Sequence, residues 1–171
     1  MKSIRSKIVS LDQLSKLVEN WKATGEKVVF TNGVFDLIHQ GHIAYLDEAA
    51  SKGSKFIIGL NADSSVKTLS KGPARPIKDE QSRAIILAAM QFVDAVVVFS
   101  DSTPDQLIDV LKPNVLVKGG DYNPAEIDDN CKTYIVGRET VLSHQGEVIV
   151  IPFLEGFSTT AIEKKIIALN K

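Results

Sequence analysis

The sequence has little or nothing of several features that mark whole classes of protein. It contains one cysteine, Cys131, so an internal disulfide is excluded, as is usual for proteins of a reducing cytoplasm. It has no apolar stretch of about eighteen residues, so no transmembrane helix is expected. Its basic start is not followed by the continuous apolar core of a signal peptide. These absences favour a cytoplasmic protein that does not enter a membrane.

Excess positive charge and the common nucleotide-binding signatures are also missing. Twenty Lys and Arg residues face 21 Asp and Glu residues, so there is no global positive field to hold a nucleic acid. Neither the GxGxxG pattern of dinucleotide-binding folds nor the GxxxxGK[ST] P-loop occurs. Any polyanion must be bound by a few local residues, which favours a small phosphorylated ligand.

What the sequence does contain is an alternation of strand and helix patterns. Five β-branched runs are continuous, as in parallel strands buried on both faces, and begin at Lys27, Lys55, Asp94, Asn114 and Glu147. Helical patterns cover residues 11–25, 41–52, 79–92, 104–111 and about 160–170. This order predicts an α/β fold with a single Rossmann-like, doubly wound parallel sheet.

The 171 residues suffice for one domain. We expect a leading helix in residues 1–26, an α/β core in residues 27–158 and a C-terminal helix in residues 159–171. Two segments look irregular. Residues 70–79, rich in Gly, Pro and Lys, are predicted to form a mobile loop. Residues 121–146 are long for a connection, and such loops are often functional or interfacial.

The segment TNGVFDLIHQGH, residues 31–42, places two of the three histidines directly after the first predicted strand. Ligands of open α/β sheets bind beyond the carboxyl ends of the strands. His39 and His42 share one face of a helix start, and Gly41 between them would let a base or phosphate approach the backbone. The two imidazoles could donate hydrogen bonds to phosphate oxygens and stabilise charge as a phosphorus–oxygen bond breaks. The alternatives are helix capping, burial in a core, or metal binding without a supporting cluster of Cys or His.

Further motifs carry residues suited to phosphate binding. Lys71 and Arg75 lie in the Gly- and Pro-rich loop, which could close over a triphosphate or be an ordinary surface loop. In VKGGDY, Lys118 supplies a point charge, and Gly119 and Gly120 can expose backbone groups to a base edge. The alternative is a glycine turn with a surface lysine.

The segment EGFSTTAIE indicates the start of the last helix. Thr160 and Glu163 have the spacing of a capping box, which leaves Ser158 and Thr159 to bind phosphate oxygens at the helix N-terminus. In the first motif, we expect Asp36 to orient its loop rather than take part in the chemistry.

Five ordered motifs resemble those of the cytidylyltransferase-like nucleotidylyltransferases with the HxGH signature. The resemblance is strongest to the D-glycero-β-D-manno-heptose 1-phosphate adenylyltransferases and covers nearly the whole chain. The motifs are TNGVFDLIHQGH, KGPARP (71–76), EQSR (80–83), KGGDY (118–122) and EGFSTT (155–160). The resemblance implies transfer of AMP from ATP to the heptose 1-phosphate, giving ADP-heptose and pyrophosphate for the lipopolysaccharide core. It also implies Mg²⁺ bound with the ATP.

The resemblance also implies a set of site residues. The catalytic residues would be His39, His42, Lys71 and Arg83, with Lys71 and Arg83 neutralising the triphosphate. No protein metal site is implied. The nucleotide-binding residues would be Thr31, Asn32, Gly33, Phe35, Asp36, Gly41, Lys118, Gly119, Gly120, Asp121, Ser158, Thr159 and Thr160.

Relatives of this kind often carry a sugar kinase domain upstream. The chain has no room for one, so we expect the heptose kinase on a separate polypeptide, and formation of a homo-oligomer stays open. Two alternatives remain: a cytidylyltransferase for glycerol 3-phosphate or another polyol phosphate, and a nucleotide-binding sensor without turnover. Class I aminoacyl-tRNA synthetases share HxGH, but this chain is too short for a tRNA-binding body.

Overall fold

A parallel β-sheet forms the centre of the protein. The computed structural model describes residues 3–69, 75–120 and 122–169, and within them the sheet has five strands. They are β1 (Val28–Gly33), β2 (Lys55–Asn61), β3 (Ala95–Phe99), β4 (Val115–Gly119) and β5 (Glu147–Ile151). Their order is β3-β2-β1-β4-β5, and every neighbouring pair is parallel. The five predicted strands are therefore confirmed.

Seven α-helices surround the sheet in the described ranges, after a 3-10 turn at Ile4–Lys7. They are α1 (Leu11–Ala23), α2 (Gln40–Ala50), α3 (Asp63–Thr68), α4 (Glu80–Ala88), α5 (Asp105–Leu111), α6 (Arg138–Ser143) and α7 (Thr159–Leu169). The sequence patterns predicted five of them and missed α3 and α6. These two have only six residues each, too few to show a helical period. Residues 121–146, expected to be irregular, thus contain α6. None of the described helices is long and apolar enough to cross a membrane.

The helices pack on both faces of the sheet, which confirms the doubly wound arrangement. On one face, Leu46 of α2 and Leu87 of α4 pack against β1, β2 and β3. On the other, Leu14 of α1, Ile108 of α5 and Val141 of α6 form a second cluster. The connections run in opposite directions from β1 and β4, the strands at the middle of the sheet. The carboxyl ends of these two strands therefore lie at the switch point, where open α/β sheets bind ligands.

Two glycines with the same left-handed backbone differ in the space around them, which gives a matched test of the packing. Gly25 follows α1 with φ +82°, and a Cβ added there would have no atom within 4 Å, whereas Gly137 precedes α6 with φ +83° and faces the buried Ile108. Gly25→Ala should cost only backbone strain, about 1–2 kcal/mol. Gly137→Ala should lose about 1–3 kcal/mol more, because the added methyl overlaps Ile108. Urea unfolding of both variants measures the difference, and equal losses would show that α5 moves aside without cost.

Candidate active site

The carboxyl ends of β1, β2 and β4 open into a pocket of about 800 Å³. Its wall also includes the loop after β1, the residues before α5 and the first turn of α7. Nine of the residues expected at the site contribute to this wall: Asn32, Gly33, Phe35, Asp36, His42, Lys118, Gly119, Thr159 and Thr160. The switch point predicted from the strand order is therefore where the motifs meet.

His39 and His42 lie together at the start of α2. His39 occupies the N-cap position, but its side chain makes no capping hydrogen bond, so the structure does not support the capping alternative. The two rings are 3.9 Å apart between centroids, and the Phe35 ring meets His42 edge-on at 5.8 Å. Burial lowers the pKa of His39 from its ordinary value of 6.5, so its imidazole is neutral at pH 7. His42 reaches the pocket wall, and His39 packs behind it.

Gly41 and Thr31 have structural roles that differ from the predicted ligand contacts. A Cβ on Gly41 would lie 3.1 Å from the His39 ring and 3.1 Å from Phe157 Cβ, so the absence of a side chain here makes room for these two residues. Thr31 is fully buried, and its hydroxyl lies 2.6 Å from the Tyr45 hydroxyl. Neither residue belongs to the pocket wall. The prediction that the Thr31 side chain contacts nucleotide is corrected accordingly, and the contact of Gly41 with a ligand stays a prediction.

Arg83 is also not where the predicted role would need it. Its side chain has no exposed surface, and its guanidinium donates to Lys78 O at 3.0 Å, Val34 O at 2.7 Å and Asp63 Oδ1 at 2.6 Å. It therefore fixes the loop after β1 from within the core. The expectation that Arg83 neutralises a triphosphate is corrected, because no face of the guanidinium reaches the pocket.

Asp36 accepts hydrogen bonds from the segment that precedes α4. Its buried carboxylate accepts from the N–H groups of Ile77 and Lys78, at 2.8 and 2.9 Å, and from Arg75 Nη1 at 2.8 Å. Burial alone would raise the pKa of Asp36, but these three donors outweigh it and hold the pKa below its usual value. The contacts of Asp36 are those of a residue that orients its loop, as predicted.

Arg75 connects this loop to α7. Its Nη2 lies 2.7 Å from Glu163 Oε1, and its side chain is only 12% exposed in the pocket wall. The predicted capping box of Thr160 and Glu163 is therefore wrong. Instead, the Ser158 hydroxyl accepts from Ala161 N–H at the start of the helix, and Ser158 is outside the pocket wall. Ser158 is therefore a helix cap, and its role as a phosphate ligand stays a prediction.

Lys118 brings a buried positive charge to the ends of β1 and β4. It is 7% exposed, its Nζ donates to Asn32 Oδ1, and the Tyr122 ring centroid is 5.7 Å from that nitrogen. Burial lowers the pKa of Lys118 from 10.5 to about 8, so the ammonium form still predominates at pH 7. In the described part of the chain, the charge faces the neutral amide of Asn32 rather than a carboxylate.

The glycine turn after Lys118 is covered by an aromatic side chain. A Cβ on Gly119 would lie 2.8 Å from the Phe153 ring, and a Cβ on Gly120 would overlap the same ring. Gly120, with φ +86°, is outside the pocket wall, and its contact with a base edge stays a prediction. Lys71 and Asp121, two further predicted site residues, lie outside the residues that the structure describes.

The family model described as cytidylyltransferase-like matches residues 30–165, a range that contains every residue of the pocket wall. The chain belongs to the cytidylyltransferase-like family. The sequence resemblance to this family is thereby confirmed.

Related sequences cover nearly all of this cytidylyltransferase-like chain. The bifunctional protein HldE of Geobacter metallireducens is 49% identical over 162 residues, which are 95% of this chain and 31% of that protein. The bifunctional protein HldE of Hahella chejuensis is 45% identical over 158 residues, 92% of this chain and 31% of that protein. The chain thus spans about a third of the length of these relatives.

Solved structures of other proteins share the fold of this protein. The lipopolysaccharide core biosynthesis protein from Thermoplasma volcanium matches with a TM-score of 0.57 and 23% identity, covering 76% of this chain and 98% of that one. A pantoate-beta-alanine ligase from Francisella tularensis matches with a TM-score of 0.56 and 15% identity, covering 91% of this chain and 75% of that one. At these identities the similarity concerns the fold alone.

Several wall residues were missed by the sequence analysis. Tyr122 and Phe153 closely follow β4 and β5, so the carboxyl-end rule could have indicated them. Asn61 ends β2, and its amide donates to Ser65 Oγ at 2.9 Å. Tyr134 comes from the long connection before α6, where no sequence pattern marks it. In the described ranges, no three His, Cys, Asp or Glu side chains come together as a metal site would require.

The buried charge of Lys118 should reduce the stability of this protein at neutral pH. The pKa of Lys118 is about 8 in the folded protein, below its ordinary value of 10.5. Between pH 8 and pH 10.5 the unfolded chain therefore binds more protons than the folded protein, and the free energy of unfolding rises with pH. Lys118→Met should therefore be more stable than the wild type at pH 7, by on the order of 2 kcal/mol. The advantage should shrink as the pH approaches 10. Urea unfolding at pH 7, 9 and 10 measures it, and an advantage that does not change with pH would contradict a buried charge.

Proposed function

We propose that this chain transfers the adenylyl group of ATP to D-glycero-β-D-manno-heptose 1-phosphate, producing ADP-heptose and pyrophosphate for lipopolysaccharide core synthesis. The observation that carries the proposal is the convergence of His42, Lys118 and the first turn of α7 on one switch-point pocket. The ordered motifs that line it resemble those of heptose 1-phosphate adenylyltransferases. Similarity to the HldE proteins over 95% of the chain supports the same activity for this part of such a protein.

The reaction needs no protein nucleophile, because the attacking group is already an anion. An oxygen of the sugar 1-phosphate attacks the α-phosphorus of ATP in line, the bond from that phosphorus to the bridging oxygen breaks, and pyrophosphate leaves with the electron pair. The protein's contribution is then the positioning of the two substrates and the stabilisation of charge on the phosphate oxygens. The pocket has residues suited to both the positioning and the stabilisation of charge.

Each wall element has a proposed part in binding the phosphates. His42 donates a hydrogen bond to the oxygens of the reacting phosphate, and His39 supports its ring from 3.9 Å. Lys118 supplies a positive charge that has no carboxylate partner among the residues that the structure describes. The hydroxyls of Thr159 and Thr160 lie at the N-terminus of α7, where the helix dipole favours anions. Lys71 is proposed to close over the triphosphate from its loop.

Magnesium belongs to this proposal as the counter-ion of the triphosphate. The described residues provide no cluster of carboxylates for a resident ion, and the Asp36 carboxylate is already occupied by three donors. Mg²⁺ is commonly held mainly by water and substrate phosphates rather than by a protein cage. The residues present are compatible with an ion that enters and leaves with the nucleotide.

A matrix of nucleotides and sugar or polyol phosphates tests the assignment. With Mg²⁺ present, we expect pyrophosphate release to be fastest for ATP with the heptose 1-phosphate. Faster turnover of CTP with glycerol 3-phosphate would replace the proposal by the cytidylyltransferase alternative. Release from no pair, with ATP still bound in a calorimetric titration, would indicate a nucleotide sensor.

Replacing His42 separates a role in the reaction from a role in folding. His42→Ala should change the free energy of unfolding by on the order of 1 kcal/mol or less, because α2 keeps its buried residues Tyr45, Leu46 and Ala49. Turnover should fall roughly 10²-fold or more, as when a preorganised donor to a developing oxyanion is removed. His42→Asn, which retains a donor, should keep more activity than His42→Ala.

The third histidine gives a matched control for this experiment. His144 lies at the exposed end of α6, outside the pocket wall, so His144→Ala should turn over like the wild type. Steady-state pyrophosphate release and urea unfolding of the three variants provide the measurements. A His42→Ala protein that is largely unfolded, but normally active in its folded fraction, would show that the pair is structural.

A further inference from the structure

The first turn of α7 is part of the pocket, yet the helix has little anchorage in the core. None of the residues of α7 (Thr159–Leu169) is buried, and Ile167 is 59% exposed. Most helices of a globular protein are held by an apolar stripe that packs on the core. Thr159 and Thr160 nevertheless line the pocket, where geometry matters most. Besides the packing of Phe157 near Gly41, a polar contact could therefore help to hold this turn in place.

Glu163 provides such a contact from the same side of the helix. It is three residues after Thr160 and four after Thr159, which places it on the face of α7 that carries both threonines. Its carboxylate lies 2.7 Å from Arg75 Nη2 and is itself in the pocket wall. The ion pair is therefore next to the two hydroxyls that face the pocket.

The other end of the Arg75 guanidinium is fixed inside the protein. Its Nη1 lies 2.8 Å from Asp36 Oδ2, and the Asp36 side chain is only 2% exposed. An exposed ion pair usually contributes little, partly because two long side chains must be ordered to form it. Here Arg75 is already ordered by Asp36, so only Glu163 loses its freedom when the pair forms. Lysine could not replace Arg75, because the pairing uses two nitrogens of one planar group.

We propose that Arg75 and Glu163 are positioning residues whose ion pair holds the first turn of α7 against the pocket and so places Thr159 and Thr160 for phosphate binding. The second half of this statement rests on the proposed function, whereas the first half concerns the protein alone. Because Glu163 is 35% exposed, the pair opens more readily than the contacts of the core. The pair therefore governs how often the phosphate-binding turn is in place.

Two variants on opposite sides of the pair test the proposal, with two controls. Glu163→Gln removes the charge with little change of shape, and Arg75→Lys keeps the charge but cannot bridge both carboxylates. Lys164→Gln neutralises an exposed neighbour on the same helix, and Glu19→Gln neutralises an exposed carboxylate on α1. Amide hydrogen exchange of residues 159–169 should be several-fold faster in the two test variants and unchanged in the two controls.

Kinetics distinguish positioning from mere anchoring of the helix. The KM for ATP should rise about tenfold in Glu163→Gln while kcat stays within about twofold, because the threonines bind phosphates in both the ground state and the transition state. Unchanged exchange in α7 would overturn the proposal, and so would faster exchange with an unchanged KM. If the wild type releases no pyrophosphate from any substrate pair, the proposed function fails instead. The Kd for ATP, measured by calorimetry, then replaces KM in deciding the role of the ion pair.

Discussion

The buried Asp36 carboxylate is the interaction on which the pocket depends. A buried charge is costly unless it is paired and hydrogen-bonded, and Asp36 meets this condition with donors from Arg75, Ile77 and Lys78. These donors lie about forty positions further along the chain, so the carboxylate joins two distant segments at the end of β1. Together with the bond from Arg83 to Val34 O, the Asp36 carboxylate holds the loop that carries Phe35 and leads to the histidines. The shape of this pocket wall therefore depends on a buried charge that is fully hydrogen-bonded.

Arg75 and Arg83 have different structural roles, although the sequence alone does not distinguish them. Arg83 is enclosed and donates to Val34 O, Lys78 O and Asp63, so it acts as an internal brace for the loop. Arg75 has a carboxylate on either side and remains at the pocket wall. Both belong to motifs that resemble those of a nucleotidylyltransferase. A motif can therefore be needed for the geometry of a site without each of its charges touching the substrate.

The fold was predictable from the sequence because its signals are local. Buried β-branched runs predicted all five strands and their parallel arrangement, whereas α3 and α6 were missed because six residues show no period. The location of the site was predictable, but the contacts of its individual residues were not. Asn32 faces the pocket and its neighbour Thr31 faces the core, since successive side chains of a strand point in opposite directions. The partners of Arg83 lie up to 49 positions away, and no local pattern encodes such a contact.

The charges of the pocket wall bear on the anion binding that we propose for the site. Of the two cations in the described part of the wall, Arg75 is balanced by Asp36 and Glu163. Lys118 instead faces the neutral amide of Asn32, and its lowered pKa shows that the folded protein bears a cost for keeping it charged. Under the proposed function, a phosphate that enters the pocket places a negative charge opposite Lys118 and relieves that cost. The destabilisation that Lys118 imposes on the fold would then be one source of the phosphate affinity that we propose for the pocket.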